Sequence, residues 1–510
     1  MTLSRRRLLG LAAAGGAGLA LPSGCGLVSG GPVSEAEGSA GTLLTSGARL
    51  PEPFRVPLPV PPTLKPVRGD GGADHYDIVQ KTAQAEILPG YKTEVWGYNG
   101  TFPGPTIESR RGRRTVVAHR NDLPVPAVVH LHGGKTPAAH DGYPTDAIEA
   151  NDTREYVYPI DQPAATLWYH DHRMDFTGPQ VYRGLAGFHL IRDDEEAGLG
   201  LPYGERDIPL MIADRAFAED GSFAYPSMDP SLTGMPGVKK DFMSGVLGDC
   251  ILVNGAPWPE LEVTATRYRF RILNASNARR YELTLDPAPP GGTAFVQIGS
   301  DQGLLRAPVR HETLHIAQAE RFDVVIDFSK YRVGDKITLV NNAGSGGTAQ
   351  VMRFVVARRG RDDSRVPSRL VDFRPLSRSE VTVERDFVFA RGGAQGHHGV
   401  SLWTVNGKKF EPDRITARPK LGAVELWRLR ARNVPHPVHI HLTPFQVISG
   451  DQGDGDVGPY NRGWKDTVNL GNGGRAEVLI KFDGYRGRYV FHCHNLEHED
   501  MMMMANFEVV

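Results

Sequence analysis

Ten of the eighteen histidines fall in four short clusters. They are His130-Leu131-His132, His170-Asp171-His172, His436-Pro437-Val438-His439-Ile440-His441, and His492-Cys493-His494 followed by His498. Residues two apart on a strand point to the same side. His-x-His therefore presents two imidazoles side by side, which suits ligation of neighbouring metals. One such pair is ordinary. Four pairs, two near the start and two near the end of the region that follows the leader, are hard to explain as accident.

The fourth cluster carries the most information. On a strand, His492 and His494 face one way and Cys493 the other, so one strand touches two metal sites. Cys493 with His436, His498 and a weak axial thioether makes a His2Cys(Met) set, which is diagnostic of blue copper. The spacing Cys-x4-His-x4-Met selects Met503 from the run Met501–Met504, whose other members read as packing residues. Eight histidines remain. They can hold a cluster of three coppers: His130 and His439 on one, and His132, His170, His172, His441, His492 and His494 on a coupled pair. Zinc favours closed four-ligand sites and leaves these eight unexplained.

The elements that must position these residues are short strands. Gly (59) and Pro (38) are abundant, and runs such as TVVAHR, RYRFRILN and FDVVID are bounded by turn residues. The pattern predicts stacked β-sandwiches. Asn99-Gly100, Asn254-Gly255 and Asn406-Gly407 recur at a spacing of about 150 residues, each ahead of a strand-like segment, which suggests three homologous domains. The expected division is a leader and flexible tether over 1–50, domains over 51–200 and 201–356, a polar Arg-rich linker over 357–385, and a third domain over 386–510.

The stretches WGYNGTFPGPTIE (96–108), HLHGG (130–134), TLWYHDH (166–172), GLAGFHLI (184–191), ILVNG (251–255), HPVHIHL (436–442), GWKDT (463–467) and HCHNLEHED (492–500) resemble multicopper oxidases. The likeness is to the branch containing spore-coat laccases, bilirubin oxidase and phenoxazinone synthase. It implies an all-β fold of three consecutive cupredoxin-like Greek-key β-sandwich domains. It also implies four copper ions per chain: one type 1 ion in the third domain, and a type 2 ion with a type 3 pair between the first and third. The ligand sets above follow that pattern, with no position missing. A small-molecule donor would give up single electrons near the type 1 site. Dioxygen would be reduced to water at the cluster, with electrons passing from Cys493 to His492 and His494. Asp141 and Glu499 match acidic positions that this branch uses to supply protons. Asp171, His189, His311 and His315 read as structural, and His397 and His398 as exposed.

Ser4-Arg5-Arg6-Arg7 before a modest apolar run to Leu21 reads as a twin-arginine export signal, which places the protein outside the cytoplasm, at the cell surface or secreted. Pro22-Ser23-Gly24-Cys25 partly matches a lipoprotein cleavage site, so Cys25 is a candidate lipid anchor. Three cysteines cannot form a disulfide framework, and Cys250 in GDCILVNG reads as a small core residue. The net charge of −1 gives no reason to expect nucleic acid as a partner. A monomer is the default. Competing functions are a cuprous oxidase serving copper tolerance, which the absence of a Met-rich insert disfavours, and a copper-free structural relative, which the full ligand complement disfavours. A two-domain-type nitrite reductase does not account for four His-x-His pairs.

Overall fold

The computed structural model describes residues 40–396, 401–451 and 458–510. The arginine cluster of the leader, Cys25, His397, His398 and most of the loop 450–458 lie outside these residues.

The turn-rich sequence folds into strands that assemble as three β-sandwiches in series. The first pairs a four-stranded sheet with a five-stranded sheet over Arg68–Arg192. The second, over Asp207–Arg358, pairs seven strands with five. The third, over Val381–Val509, pairs five with five. The Asn-Gly repeat has one structural meaning in all three. Asn99, Asn254 and Asn406 take φ of 55°, 51° and 52°, each followed by a glycine of positive φ. Asparagine tolerates this left-handed turn better than most residues. Each side-chain oxygen then accepts a backbone N–H from an earlier strand: Val79 at 2.9 Å, Met211 at 2.8 Å and Val388 at 2.7 Å.

Three sequence expectations change here. Residues 42–44, assigned to the tether, form a strand parallel to Val246–Gly248. Leu58, assigned to the first domain, donates its backbone N–H to Glu260 O at 2.8 Å. Residues 42–44 and Leu58 thus pair with the second sandwich. Their unpaired backbone groups find partners there rather than in water. The linker expected over 357–385 is shorter, because residues 357–358 end the strand Gln350–Arg358 and 381–385 begin the strand Val381–Gln395, which leaves only 359–380 without a strand.

A buried charge cluster ties the first sandwich to the second. In the strand Arg267–Asn274, Arg269 and Arg271 point into this interface rather than into water. The Arg271 Nε donates to Asp207 Oδ1 at 2.7 Å and its Nη1 to Thr166 Oγ1 at 3.1 Å. The Arg269 Nη2 donates to Glu196 Oε1 at 2.6 Å. Burial raises the Glu196 pKa, but Arg269, Arg271 and Arg192 outweigh it and hold the carboxyl at about 2. A carboxylate whose folded pKa lies below its usual 4.5 stabilises the fold above that pH and loses the contribution as pH falls. Stability should therefore drop as pH falls from about 4.5 towards 2, and Glu196→Gln should flatten that part of a denaturation-versus-pH curve. An unchanged slope would mean that other carboxylates govern acid unfolding.

Candidate metal centre

Strand pairing brings the histidines together. The antiparallel ladder between Val129–His132 and Ala165–Asp171 sets His130 opposite His170. The ladder between His436–Ile440 and Gly487–Cys493 sets His439 opposite His492. His172, His441 and His494 lie one residue beyond their strands. Their backbone N–H groups hold them in place, donating to Val128 O at 3.1 Å, Val490 O at 3.1 Å and Pro437 O at 2.7 Å.

Eight imidazoles from the first and third sandwiches converge, none more than 1 % exposed. The Nε2 atoms of His130 and His439 stand 3.4 Å apart. His132 Nδ1 lies 3.4 Å from His170 Nε2. His492 Nε2 is 3.3 Å from the Nε2 of both His172 and His441. Burial lowers His130, His132, His170, His439, His441 and His494 well below the usual range, and His172 to about 4, and so keeps their lone pairs free. Neither ring nitrogen of buried His494 has a hydrogen-bond partner. Leaving such groups bare costs about 1–3 kcal/mol each. Metal coordination removes that cost, and imidazole is a good copper ligand. The donor set therefore fits metal.

On the opposite side of the same strand, Cys493 packs into the third sandwich's apolar core. Its Sγ lies 3.4 Å from His436 Nδ1 and 3.5 Å from His498 Nδ1, and those nitrogens are 3.1 Å apart. The outer ring nitrogens donate away from the thiol, His436 to Arg432 O at 3.2 Å and His498 to Ser244 O at 3.1 Å. Met503 is fully buried in the same cluster, and its carbonyl accepts the Cys493 N–H at 3.1 Å. Trp403 lies against His498 with ring centroids 3.8 Å apart. Burial pushes the Cys493 thiol up, so metal uptake there must release a proton.

The multicopper oxidase signatures match residues 80–196 and 384–510, the two regions that supply every histidine above. A laccase of Bacillus subtilis is 38 % identical over 90 % of this chain and 98 % of its own length. This chain belongs to the multicopper oxidase family. A bilirubin oxidase of Albifimbria verrucaria is 37 % identical over 97 % of this chain and 88 % of its own. The crystal structure of a laccase from Pediococcus acidilactici superposes with a TM-score of 0.80 at 32 % identity, covering 92 % of this chain and 95 % of that one. As a multicopper oxidase, this chain is a copper-dependent oxidoreductase with dioxygen as acceptor, and its three sandwiches are cupredoxin-like.

The two acidic residues of interest in this multicopper oxidase both border the cluster. Asp141 accepts from His130 Nδ1 through its carbonyl at 2.5 Å and meets His441 Nδ1 through Oδ2 at 2.7 Å. Burial raises its carboxyl well above the usual range. Glu499 meets His492 Nδ1 at 3.1 Å and His172 Nδ1 at 3.5 Å, and accepts from Thr177 Oγ1 at 2.8 Å. Burial opposes its ionisation, but His492 and His172 outweigh that and hold it at about 2. Outer groups that orient metal-bound imidazoles are worth about 10–100-fold in activity or metal affinity. Glu499→Gln should lower turnover by roughly that factor, leaving the absorption of the Cys493 site intact. A loss of both together would point to a folding defect.

Asp171 accepts the N–H groups of Val128 and Arg173, both at 3.0 Å, and does not join the cluster. Buried His189 bonds Ser109 at 2.7 Å, His311 bonds Gln297 at 2.9 Å, and His315 is exposed. The sequence reading missed Asp466, whose Oδ1 lies 3.1 Å from His132 Nε2. The available signal was its place in the GWKDT stretch.

Proposed function

We propose a laccase-like oxidase in which Cys493, His436 and His498, with the thioether of Met503, would hold a type 1 copper. In the same reading His130 and His439 hold the type 2 ion. His132, His170, His172, His441, His492 and His494 hold the type 3 pair. The observation that carries this is the Gly487–Cys493 strand and its extension. Cys493 faces His436 and His498, while adjacent His492 stands 3.3 Å from His172 and His441. Copper would supply one-electron chemistry at the thiolate and reduction of dioxygen to water at the cluster.

The protein's own residues set geometry and proton supply. The peptide joining Cys493 to His492 and His494 is the covalent path between the two sites. The apolar shell of Trp403, Met503 and the third-sandwich core excludes water from the thiolate. Asp141 and Glu499 lie in contact with cluster imidazoles, where Asp141, raised by burial, can hold a proton and Glu499, held ionised, can accept one and pass it on. The half-exposed Ser244, whose carbonyl bonds His498, marks where a small donor approaches. Phenols, aminophenols and bilirubin-like pigments fit that role. The leader supports twin-arginine export, with Cys25 as an optional lipid anchor, and the protein acts as a monomer outside the cytoplasm.

One observation favours a second donor. Met228 and Met235, on the loop that leads to Ser244, are 48 % and 44 % exposed. Exposed thioethers suit Cu(I). The test is oxygen uptake by copper-loaded protein with a phenol, a tetrapyrrole pigment and Cu(I), alongside copper content. About four coppers per chain and rapid uptake with the organic donors are expected. Turnover with Cu(I) alone, lost in Met228→Ala/Met235→Ala, would replace the laccase-like reading with a cuprous oxidase. A colourless protein that binds no copper would sink both.

A further inference from the structure

Two aspartates frame the imidazole cluster in the same way, and only one of them has been given a role. Asp141, from the first sandwich, holds His130 through its carbonyl and His441 through its carboxylate. Those two rings stack across the interface with centroids 3.8 Å apart. Asp466, from the third sandwich, holds His439 Nδ1 through its carbonyl at 2.8 Å and His132 through its carboxylate. Those rings also stack, 3.6 Å apart.

The pairs differ in one atom. His130, His170, His439, His441 and His492 each turn Nδ1 to an oxygen, which leaves Nε2 for the cluster. His132 is reversed. Its Nε2 meets Asp466 Oδ1 at 3.1 Å and Thr467 Oγ1 at 3.2 Å, and its Nδ1 faces His170. The hydrogen bond made by one ring nitrogen decides which nitrogen is free to bind metal.

Asp466 is committed as an acceptor. The Arg321 guanidinium grips it with both Nη atoms, at 2.7 Å to Oδ1 and 2.5 Å to Oδ2. Gln302 Nε2 donates to Oδ2 at 2.6 Å and Thr467 Oγ1 to Oδ1 at 2.9 Å. A carboxylate so gripped can only accept, so His132 must present Nε2–H to it and keep its lone pair on Nδ1. Arg321 and Gln302 belong to the second sandwich, which supplies none of the eight converging imidazoles. Arg321 also donates Nε to Thr166 O at 2.9 Å in the first sandwich, and its remaining N–H groups to Ala319 O and Asp301 O.

We propose that Asp466 is a positioning residue for the cluster, and that Arg321 and Gln302 of the middle sandwich act through it to fix His132 with Nδ1 towards the metals. This rests on the copper assignment above. In Asp466→Asn, Arg321 claims the single amide oxygen and the NH2 turns to His132 Nε2. An NH2 donor there selects the opposite tautomer and removes the lone pair from Nδ1. Arg321→Met frees Asp466 to turn away, and Arg321→Lys keeps the charge but not the fork.

The experiment compares copper-loaded full-length variants by total copper, visible absorption of the thiolate site, and electron paramagnetic resonance. Two coupled Cu(II) ions cancel their spins, so an intact pair is silent. Asp466→Asn and Arg321→Met should keep the thiolate band unchanged. They should lose cluster copper or gain paramagnetic signal, and turnover should fall about 10–100-fold at unchanged donor KM. Arg321→Lys should fall between wild type and Arg321→Met. Should Asp466→Asn fail to fold, Arg321→Lys and Gln302→Ala carry the same readouts. Variants with wild-type copper and resonance would overturn the proposal, as would parallel loss of the thiolate band and the cluster. Wild-type protein without the full copper complement would instead overturn the copper assignment.

Discussion

Cys493→Ser should abolish the intense visible absorption of copper-loaded protein and donor-driven oxygen uptake, while the folded chain keeps its imidazole cluster. The thiolate is the soft anionic ligand of the set, and a serine hydroxyl neither ionises at neutral pH nor matches copper in softness. The replacement is close to isosteric. The new hydroxyl can bond the Nδ1 atoms of His436 and His498, which lie 3.4 and 3.5 Å from the sulfur. The stability cost should therefore stay within the about 1–3 kcal/mol of a poorly satisfied buried polar group. The activity loss should exceed the about 10–100-fold expected for an outer group, because a metal ligand itself is removed. Absorption, oxygen uptake and thermal melting on one preparation check all three. A surviving band would show that another residue holds the blue site.

The largest effect on stability should come from Arg271→Met. Its guanidinium is fully buried and bonds Asp207, Glu196 and Thr166. The Asp207 side chain is buried, yet Arg271 and Arg269 hold its carboxyl far below the usual range. Removing one member of a buried ion cluster leaves uncompensated charge, and such changes cost about 3–5 kcal/mol. Methionine keeps much of the volume, so the loss reports charge rather than a cavity. Denaturant unfolding with matched copper loading measures it. A change below about 1 kcal/mol would mean that Arg192 and Arg269 suffice for the carboxylates.

The metal-ligand candidates were legible because their chemistry is local in sequence. His-x-His on a strand fixes the shared direction of two rings before any tertiary structure is known. The Asn-Gly turns were legible for the same reason. Arg321 and Gln302 were not, because their roles arise where three sandwiches meet, and nothing within a few residues of either distinguishes it from a surface residue; Asp466 had only its place in the GWKDT stretch. Arg269 and Arg271 show the same limit. The run RYRFRILN reads only as a strand, and nothing in it shows that Arg269 and Arg271 pack on the first sandwich. The placement of Leu58 on the second sandwich is likewise a contact between distant segments, invisible to periodicity.

The five N–H groups of Arg321 bear on how such a protein can be recombined. Its middle sandwich resembles a spacer that could be exchanged between relatives as a cassette. The guanidinium instead spans both seams, reaching Thr166 on one side and Asp466 on the other. In a chimera joined at the linkers, the residue at this point and its partners on either side would come from different parents. Shuffled libraries should yield functional clones mainly where Arg321, Gln302 and Asp466 travel together from one parent.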